Sequence, residues 1–482
     1  MFFNSIQFLF FFITVFTVFY ITPHRFRWIV LLSASTYFYG TLRPLYLAFL
    51  YIPVIIVYFV SLQLEKKPEI KFRKTLFIIG IISSFIILFI VKYLDLVINT
   101  IHSILNIPNY LPLGLILPIG ISFYTFKLLS YLIDVYYKRI HSEKHFGIFA
   151  LYISFFPQLL AGPIDRAGNF IPQLKEKIEF DSARILSGIN LFIWGFFKKT
   201  VVSNRTGLFV DQVFSAPADQ TGINLLFGLY FYSFQIYCDF SGYSDMAIGI
   251  SRILGYRSME NFNFPYFSKS LTQFWSRWHI SLSSWLRDYI FLPTSYFFLR
   301  KIRSPRIFRI KPEAIAYTAG IILTMFLGGL WHGASWTFVV WGLLHGSYIS
   351  FGHLTKKTRS KFRKFTGLKK GSLLHRIISI FITFHLVTFA WTFFRSATFN
   401  DALIYLKGIG FSQSPGREFH LLFTLMFVIV LILIEIFLYN KSKLTFLKKI
   451  PIAVKIPVYV LFIIFIIIFY VDGANEFIYF QF

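Results

Sequence analysis

Long apolar stretches recur along this chain with few polar interruptions. They include residues 8–20, 46–60, 76–91, 378–394, 421–438 and 454–470. Each is near the roughly 20 residues that an α-helix needs to cross the hydrocarbon core of a bilayer. The pattern therefore predicts an all-α, polytopic membrane protein with about 11–13 transmembrane or re-entrant helices.

The composition excludes an ordinary soluble protein. Of the 482 residues, 56% are hydrophobic, 21% are aromatic and 14% are charged, whereas charged residues make up about 25% of a typical globular chain. A soluble domain of this composition would expose a large apolar surface. Because no hydrophilic domain interrupts the pattern, we expect residues 1–482 to form a single integral membrane domain.

The formal net charge of +27 is concentrated in loops between the apolar runs. Residues 300–311 contain six basic residues and no acid, and residues 356–370 contain eight basic residues. Basic loops of this kind lie on the cytoplasmic side of the membrane and face anionic lipid. The distribution favours membrane lipid over nucleic acid as a partner, and it predicts that residues 472–482 lie outside.

Two apolar segments contain several helix breakers. Residues 112–120 include two prolines and two glycines, and residues 156–166 include two prolines, a glycine and charged side chains. Irregular backbone at membrane depth is tolerated only where it is buried in protein or lines a watery cavity. These segments predict a shaped chamber instead of a plain bundle of spanning helices.

Two acidic residues, Asp239 and Asp245, lie in an otherwise apolar stretch. Ionisable side chains in membrane segments cost roughly 2.5–3.5 kcal/mol each on insertion scales and often mark functional positions. In one interpretation these carboxylates are structural, because they cap a helix or pair with Arg252 or Arg277. In the other they contact the substrate.

A second group of polar residues recurs at helical spacing. Ser276, His279, Ser283 and Arg287 follow one another in steps of three and four residues, which places them on one face of a single helix. The face is predicted to line a site, with His279 catalytic and with Ser283 and Arg287 binding substrate. The tryptophans around it are also typical of a helix that lies in the membrane interface.

His332 lies midway between the two basic loops, in the segment Gly-Leu-Trp-His-Gly-Ala-Ser-Trp-Thr of residues 329–337. Because both loops are predicted to be cytoplasmic, the chain must turn near His332. Small neighbours are expected to leave room for a substrate, and Trp331 and Trp336 are expected to contact it. An imidazole can take the proton of a hydroxyl near neutral pH, so the segment predicts a functional histidine, and its chemistry would suit transfer of an acyl group to a hydroxyl.

The sequence predicts no metal site. Neither His279 nor His332 belongs to an HxxxH or HExxH pair. His141 and His145 have the first spacing, but they lie in a basic loop and lack the glutamate. The single cysteine, Cys238, excludes an intramolecular disulfide and a multi-cysteine metal site.

Several segments resemble the membrane-bound O-acyltransferase (MBOAT) family, and most closely its bacterial alginate O-acetyltransferase branch. The teichoic acid D-alanyl transferases are more distant. The resemblance extends over most of the chain, from about residue 38 to residue 482. The segments that carry it are residues 113–126, 156–164, 237–245, 278–289, 329–337 and 477–480.

The resemblance implies helices around a central pore, with His332 as the catalytic histidine and His279 as a second site histidine. The implied reaction is O-acyl transfer from a cytoplasmic thioester donor, acetyl-coenzyme A, to a hydroxyl of a cell-envelope polysaccharide such as alginate. An extracytoplasmic acetyltransferase of the serine-hydrolase type is the implied partner. The implied location is the bacterial inner membrane, and no bound cofactor is expected.

Two other functions fit the apolar pattern and the buried acids. A transporter or flippase for a polysaccharide or a lipid-linked substrate would also need broken helices, although we find no inverted repeat in the sequence. A non-catalytic scaffold for envelope assembly would make His332 dispensable. The enzyme interpretation predicts instead that acyl transfer depends on His332.

Overall fold

The computed structural model describes residues 1–66, 69–107, 112–302, 310–411, 421–439, 452–471 and 477–478. The regular elements in these ranges are helices, and no β-strand is found among them. The predicted all-α fold is therefore confirmed. Residues 303–309 of the predicted basic loop 300–311 lie outside the described residues, as does most of the tail at 472–482.

Backbone contacts divide the chain into two compact units. Unit 1 contains Met1–Trp194 and Tyr243–Glu260, and unit 2 contains Gly195–Gly242 and Asn261–Phe482. The residues of two helices, α10 and α12, are divided between the units. In chain order the helices from the N-terminus to α12 are α1 (Ile6–Ile21), α2 (Arg27–Gly40), α3 (Leu45–Lys66), α4 (Ile70–Leu88), α5 (Leu94–Leu105), α6 (Ile121–Tyr136), α7 (Phe146–Ser154), α8 (Phe156–Leu159), α9 (Ala167–Lys175), α10 (Ser182–Phe197), α11 (Asn204–Ser215) and α12 (Gly222–Ile253).

The remaining helices belong to unit 2. They are α13 (Leu271–Trp275), α14 (Ile280–Leu286), α15 (Leu292–Lys301), α16 (Pro312–His332), α17 (Trp336–Leu354), α18 (Lys356–Phe365), α19 (Leu373–Arg395), α20 (Phe399–Phe411), α21 (Leu421–Tyr439) and α22 (Ile452–Phe469). Three π-helical turns also occur, at Phe89–Tyr93, Lys198–Ser203 and Arg287–Phe291.

Six helical stretches among the described residues are long and apolar enough to cross a membrane. They are Leu45–Lys66, Ile70–Leu105, Ser182–Ser215, Pro312–His332, Leu373–Arg395 and Leu421–Tyr439. Two shorter apolar helices, Ile6–Ile21 and Ile456–Phe469, coincide with the first and last predicted spans. The chain is therefore a multi-pass membrane protein. The predicted 11–13 segments also included short and re-entrant helices, which length and hydropathy alone do not identify.

Both segments rich in helix breakers are irregular in unit 1, as predicted. Residues 112–118 form no helix, and after α8 the chain is irregular until α9. The second segment is held by buried polar side chains. Lys127 donates to Gln158 at 2.6 Å, and Gln158 donates in turn to Asp165 at 2.7 Å. Buried polar groups need such partners, so these residues stabilise the irregular backbone.

In unit 2, α16 and α17 form an antiparallel hairpin, and α17 packs against α19. The hairpin turns after His332, and α17 begins where the Ser335 side chain accepts the backbone N–H of Thr337 at 3.3 Å. A serine in this position caps a helix because it satisfies one of the N–H groups of the first turn. The predicted turn at His332 is thus observed, and it is short and tightly fixed.

Candidate active site

The region around His279 is not the single helix that the spacing predicted. Helix α13 ends at Trp275, α14 begins at Ile280, and the four intervening residues are irregular. As a result Ser276 is exposed whereas His279 is buried, with 1% of its surface accessible. The predicted common face of Ser276, His279, Ser283 and Arg287 is therefore wrong.

The helix is interrupted because His279 adopts a left-handed backbone conformation, with φ 43° and ψ 55°. A residue other than glycine rarely adopts this conformation unless its surroundings enforce it. The enforcing contact comes from Asn261. Its backbone carbonyl accepts the N–H of Ile280 at 2.9 Å, and its side-chain Oδ1 accepts the N–H of Ser281 at 3.2 Å. A residue distant in sequence thus caps α14.

The side chain of Asn261 also contacts the ring of His279. Its Oδ1 atom lies 3.0 Å from Nδ1 of the imidazole. On another side, the Phe240 ring meets the imidazole edge-on, with 4.5 Å between the ring centroids. His279 is therefore a buried histidine whose position is fixed by one polar and several aromatic neighbours.

His332 is the last residue of α16, and 4% of its surface is accessible. Aromatic rings surround its imidazole. The ring centroids of Trp331 and Trp341 both lie 4.9 Å away, and that of Phe394 lies 5.1 Å away. All three contacts are edge-on or nearly so, which is an arrangement that aromatic pairs prefer.

The glycines near His332 do not provide the open space that the sequence suggested. A Cβ atom added at Gly329 would collide with the backbone oxygen of Phe338, and one added at Gly333 would collide with the Phe338 ring. A Cβ atom at Gly342, on the opposite helix, would collide with the backbone oxygen of Met325. These glycines therefore serve the close approach of α16 to α17. The prediction that these small residues leave space for a substrate is therefore not supported at these positions.

The indole of Trp331 joins the two predicted catalytic histidines. Its ring centroid lies 4.9 Å from that of His332 and 5.8 Å from that of His279. All three side chains are at least 96% buried. The structure thus brings His279, Trp331 and His332 together, although 53 positions of sequence separate the two histidines.

A third histidine continues this cluster. The Trp341 ring contacts both His332, at 4.9 Å, and His345, at 5.0 Å between centroids. His345 is fully buried, and its Nδ1 atom accepts the indole N–H of Trp275 at 3.3 Å. Trp341 was missing from the predicted site. Its spacing of four residues from His345, which puts both on one helical face, is a signal that could have identified it.

Asp239 lies on the helix that carries Phe240, and 1% of its surface is accessible. It forms an ion pair with the buried Lys199 and accepts the backbone N–H of Ile478 at 2.7 Å. The predicted arginine partners contact other groups. Arg252 donates to Ser187 at 2.9 Å, and Arg277 lies against Tyr439. The basic partner of Asp239 is thus a lysine.

The other predicted binding residues do not belong to the buried histidine cluster. Trp336 is 56% exposed at the start of α17. Ser283 is half-buried and donates to the Trp278 carbonyl at 3.0 Å. Arg287 is exposed and pairs with Asp288 at 2.8 Å, and this hydrogen bond raises the pKa of its guanidinium.

Asp245 lies in unit 1 and is partly exposed. The histidines with HxxxH spacing have other contacts in that unit. His141 pairs with Glu65 at 2.7 Å, and His145 caps α7 by accepting the N–H of Ile148 at 3.2 Å. In the described part of the chain, no three His, Cys, Asp or Glu side chains are grouped so that they could hold a metal ion.

A multi-pass helical chain that buries two imidazoles against one indole has the features of a membrane-embedded enzyme, because ionisable groups within such proteins are costly and usually functional. The sequence profile of MBOAT, the membrane-bound O-acyltransferase family, matches residues 121–394, which include the whole histidine cluster. The chain belongs to this family and is an O-acyltransferase.

Relatives with assigned names agree with this membership. The chain is similar to a peptidoglycan O-acetyltransferase of Helicobacter pylori, with 34% identity over 79% of this chain and 73% of the relative. It is also similar to a probable alginate O-acetylase, AlgI, of Azotobacter vinelandii, with 35% identity over 72% and 68%. A teichoic acid D-alanyltransferase of Bacillus subtilis is 30% identical over 61% and 72%. These findings favour the enzyme over the transporter and scaffold interpretations.

Proposed function

We propose that this protein transfers an acetyl group from a cytoplasmic thioester, acetyl-coenzyme A, across the bacterial inner membrane. The acceptor is a hydroxyl of a cell-envelope polysaccharide or of an extracytoplasmic partner of the serine-hydrolase type. Named relatives that acetylate alginate or peptidoglycan support this acceptor class. In this proposal residues 1–482 act as one acyltransferase domain around a central pore.

The observation that carries the proposal is the contact of one indole with two buried imidazoles. In the proposed reaction His332 is the general base. It takes the proton of the acceptor hydroxyl as the oxygen attacks the thioester carbonyl, and collapse of the tetrahedral intermediate releases the donor thiolate. His332 then returns the proton, which leaves the thiol and the new ester as products.

His279 and Trp331 have complementary parts in this proposal. The developing oxyanion needs a hydrogen-bond donor, and the indole N–H of Trp331 can only donate. His279 orients a substrate group from the other side of the indole. Stabilisation of the oxyanion by His279 itself would require the protonated ring, because its Nδ1 atom is directed at Asn261.

The remaining predicted residues have more distant roles in the proposal. The donor would contact the exposed guanidinium of Arg287 and the nearby Ser283 before it enters the site. The acceptor would contact Trp336 before it enters. Asp239 and Asp245 would act on substrate indirectly, through the helix α12 on which both lie.

The test is acetylation by the full-length His332→Ala variant in cells. Ester-linked acetate on envelope polysaccharide is measured after alkaline release, and protein abundance is measured by blotting the membrane fraction. Loss of a general base costs about 10²–10⁴-fold in rate, so acetylation should vanish at normal abundance. The matched control is His353→Ala, since His353 lies exposed near the end of α17. Near-normal acetylation by His332→Ala would refute the proposed base.

A further inference from the structure

The side chain of Asn261 is held in one orientation by groups other than His279. The residue is 99% buried. Its Oδ1 atom accepts the N–H of Ser281 at 3.2 Å and the hydroxyl of the same residue at 2.9 Å. A backbone N–H can only donate, so the atom that faces it must be the oxygen of the amide and not its nitrogen.

This orientation decides which nitrogen of His279 carries a proton. Nδ1 lies 3.0 Å from the same Oδ1 atom. Since an amide oxygen only accepts, the hydrogen bond requires a proton on Nδ1. A neutral imidazole has one N–H, and Nε2 is then the nitrogen that accepts hydrogen bonds.

We propose that Asn261 is a positioning residue for acyl transfer, because it holds His279 in the tautomer whose Nε2 atom accepts a hydrogen bond from a second hydroxyl of the acceptor polysaccharide, next to the one that is acetylated. The inference rests on the proposed function, in which His279 orients a substrate group. The inference identifies Nε2 of His279 as the atom that orients this group and Asn261 as the residue that selects it. The aligned acceptor then presents the oxygen of its reacting hydroxyl to the thioester while His332 receives the proton of that hydroxyl.

The aromatic neighbours of His279 cannot make this selection by packing alone. The phenyl ring of Phe240 confines the imidazole at 4.5 Å, but it offers no acceptor that would favour a proton on one nitrogen. The His279 side chain does not cap α14, and the first two N–H groups of this helix are satisfied by Asn261 instead. One residue therefore supplies both the helix cap and the choice of tautomer.

His345 provides an internal comparison. There an indole N–H, from Trp275, donates to Nδ1 at 3.3 Å. Nδ1 of His345 must therefore lack a proton, and its neutral ring carries the proton on Nε2. The same cluster thus holds two buried histidines in opposite tautomers, each selected by one neighbour of fixed donor or acceptor character.

The test compares three variants of the full-length protein in isolated membranes. Radiolabelled acetyl-coenzyme A is supplied, and label in the envelope fraction is counted per amount of protein. Asn261→Leu keeps the approximate size and removes the acceptor, and a buried donor left without its acceptor should lower activity about 10–100-fold. The loss should fall on kcat, with the KM for donor little changed. Asn261→Asp should retain most activity because a carboxylate also accepts from Nδ1.

The matched control is Asn263→Leu, which makes the same change at an exposed position two residues away in the same loop. It should transfer label at the rate of the parent protein. If Asn261→Leu fails to accumulate, Asn261→Asp still decides the matter. A folded but inactive Asn261→Asp protein would overturn the inference, as would a fully active Asn261→Leu protein.

A double variant separates positioning from general support of the fold. If Asn261 acts through His279, adding Asn261→Leu to His279→Ala should cause no further loss of activity. Multiplied losses would mean that Asn261 acts independently, and would overturn the inference. His332→Ala reports on the proposed function separately. If His279→Ala is fully active and His332→Ala is inactive, the role of His279 is rejected, whereas the assignment of His332 as the base is retained.

Discussion

Lys199 and Asp239 form an ion pair in which both side chains are nearly inaccessible, with 8% and 1% of their surfaces exposed. The second carboxylate oxygen of Asp239 accepts the backbone N–H of Ile478, close to the C-terminus. The pair therefore ties the π-helical turn of Lys198–Ser203 to α12 and to the tail. Removing one partner of a buried pair leaves the other charge uncompensated, which typically costs about 3–5 kcal/mol.

We expect Asp239→Asn to lower the amount of folded protein more than its activity per molecule. The amide leaves Lys199 charged and unneutralised, and it weakens the contact with Ile478. Abundance is measured as the monodisperse fraction in detergent chromatography, and activity as acetylation normalised to that fraction. The control is Asp288→Asn, because the Arg287–Asp288 pair is much more exposed and exposed pairs contribute about 0–1 kcal/mol.

A well-folded and inactive Asp239→Asn protein would instead assign this carboxylate to the site. Replacing both partners offers a second check. Lys199→Met combined with Asp239→Leu removes both charges, so it should restore part of the abundance that the single variant loses. Abundance lower than in Asp239→Asn would show that the ion pair is not the cause of the loss.

Much of the fold could be predicted because the bilayer imposes strong constraints on sequence. Uninterrupted apolar runs gave the spans, and the basic residues on both sides of His332 gave the turn between α16 and α17. Helix breakers located the irregular segments at 112–118 and 160–166. Each of these signals is local, so a single sequence contains it.

The interior of the site could not be predicted because its contacts are not local. Spacing suggested one helix through His279, but Asn261 interrupts it from 18 residues away. Likewise, Asp239 was expected to use a nearby arginine, whereas its partner lies 40 residues upstream. Glycines near His332 suggested open space, because composition alone does not show whether a missing side chain accommodates a ligand or a neighbouring helix.

The glycines of the hairpin between α16 and α17 allow a direct test of whether they accommodate a neighbouring helix. Gly329→Ala should destabilise the protein, because the new methyl group would meet the rigid backbone oxygen of Phe338 and separate α16 from α17. Overpacking of this kind costs about 1–3 kcal/mol. Thermal stability in detergent, followed by fluorescence-detected chromatography, should fall clearly.

The neighbouring Gly328 is a matched control for this change. A Cβ atom there would lie 3.3 Å from a terminal methyl group of Leu286, which can rotate away at little cost. Gly328→Ala should therefore retain nearly the parent thermal stability. Because alanine favours a helix more than glycine does, equal losses in both variants would mean that the close contact between α16 and α17 is not their cause.

The orientation in the membrane can be tested with reporter tags. Tags inserted after Lys301 and after Lys364 should report a cytoplasmic location, and a tag after Phe482 should report the outside, because basic loops remain on the cytoplasmic side. Alkaline phosphatase and green fluorescent protein fusions distinguish the two sides. The result that contradicts the argument would be opposite locations for Lys301 and Lys364, since α16 and α17 would then not leave and return to one side.

His345 should contribute through packing and not through proton transfer. It is fully buried and accepts the indole N–H of Trp275, whereas Trp341 separates it from His332. His345→Ala leaves a cavity and an indole N–H without its acceptor, and large-to-small changes in a core typically cost about 2–5 kcal/mol. We expect lower thermal stability and a smaller loss of acetylation per folded molecule than His332→Ala causes.

His345→Gln separates packing from chemistry at this position. Its amide oxygen can still accept from Trp275, but an amide cannot act as a base near neutral pH. If His345 only supports the cluster, His345→Gln should keep more stability than His345→Ala and most of the parent acetylation rate. If His345 transfers protons, His345→Gln should be as inactive as His332→Ala at normal abundance. The ratio of acetylation rate to folded protein in the two His345 variants therefore distinguishes a supporting histidine from a second base.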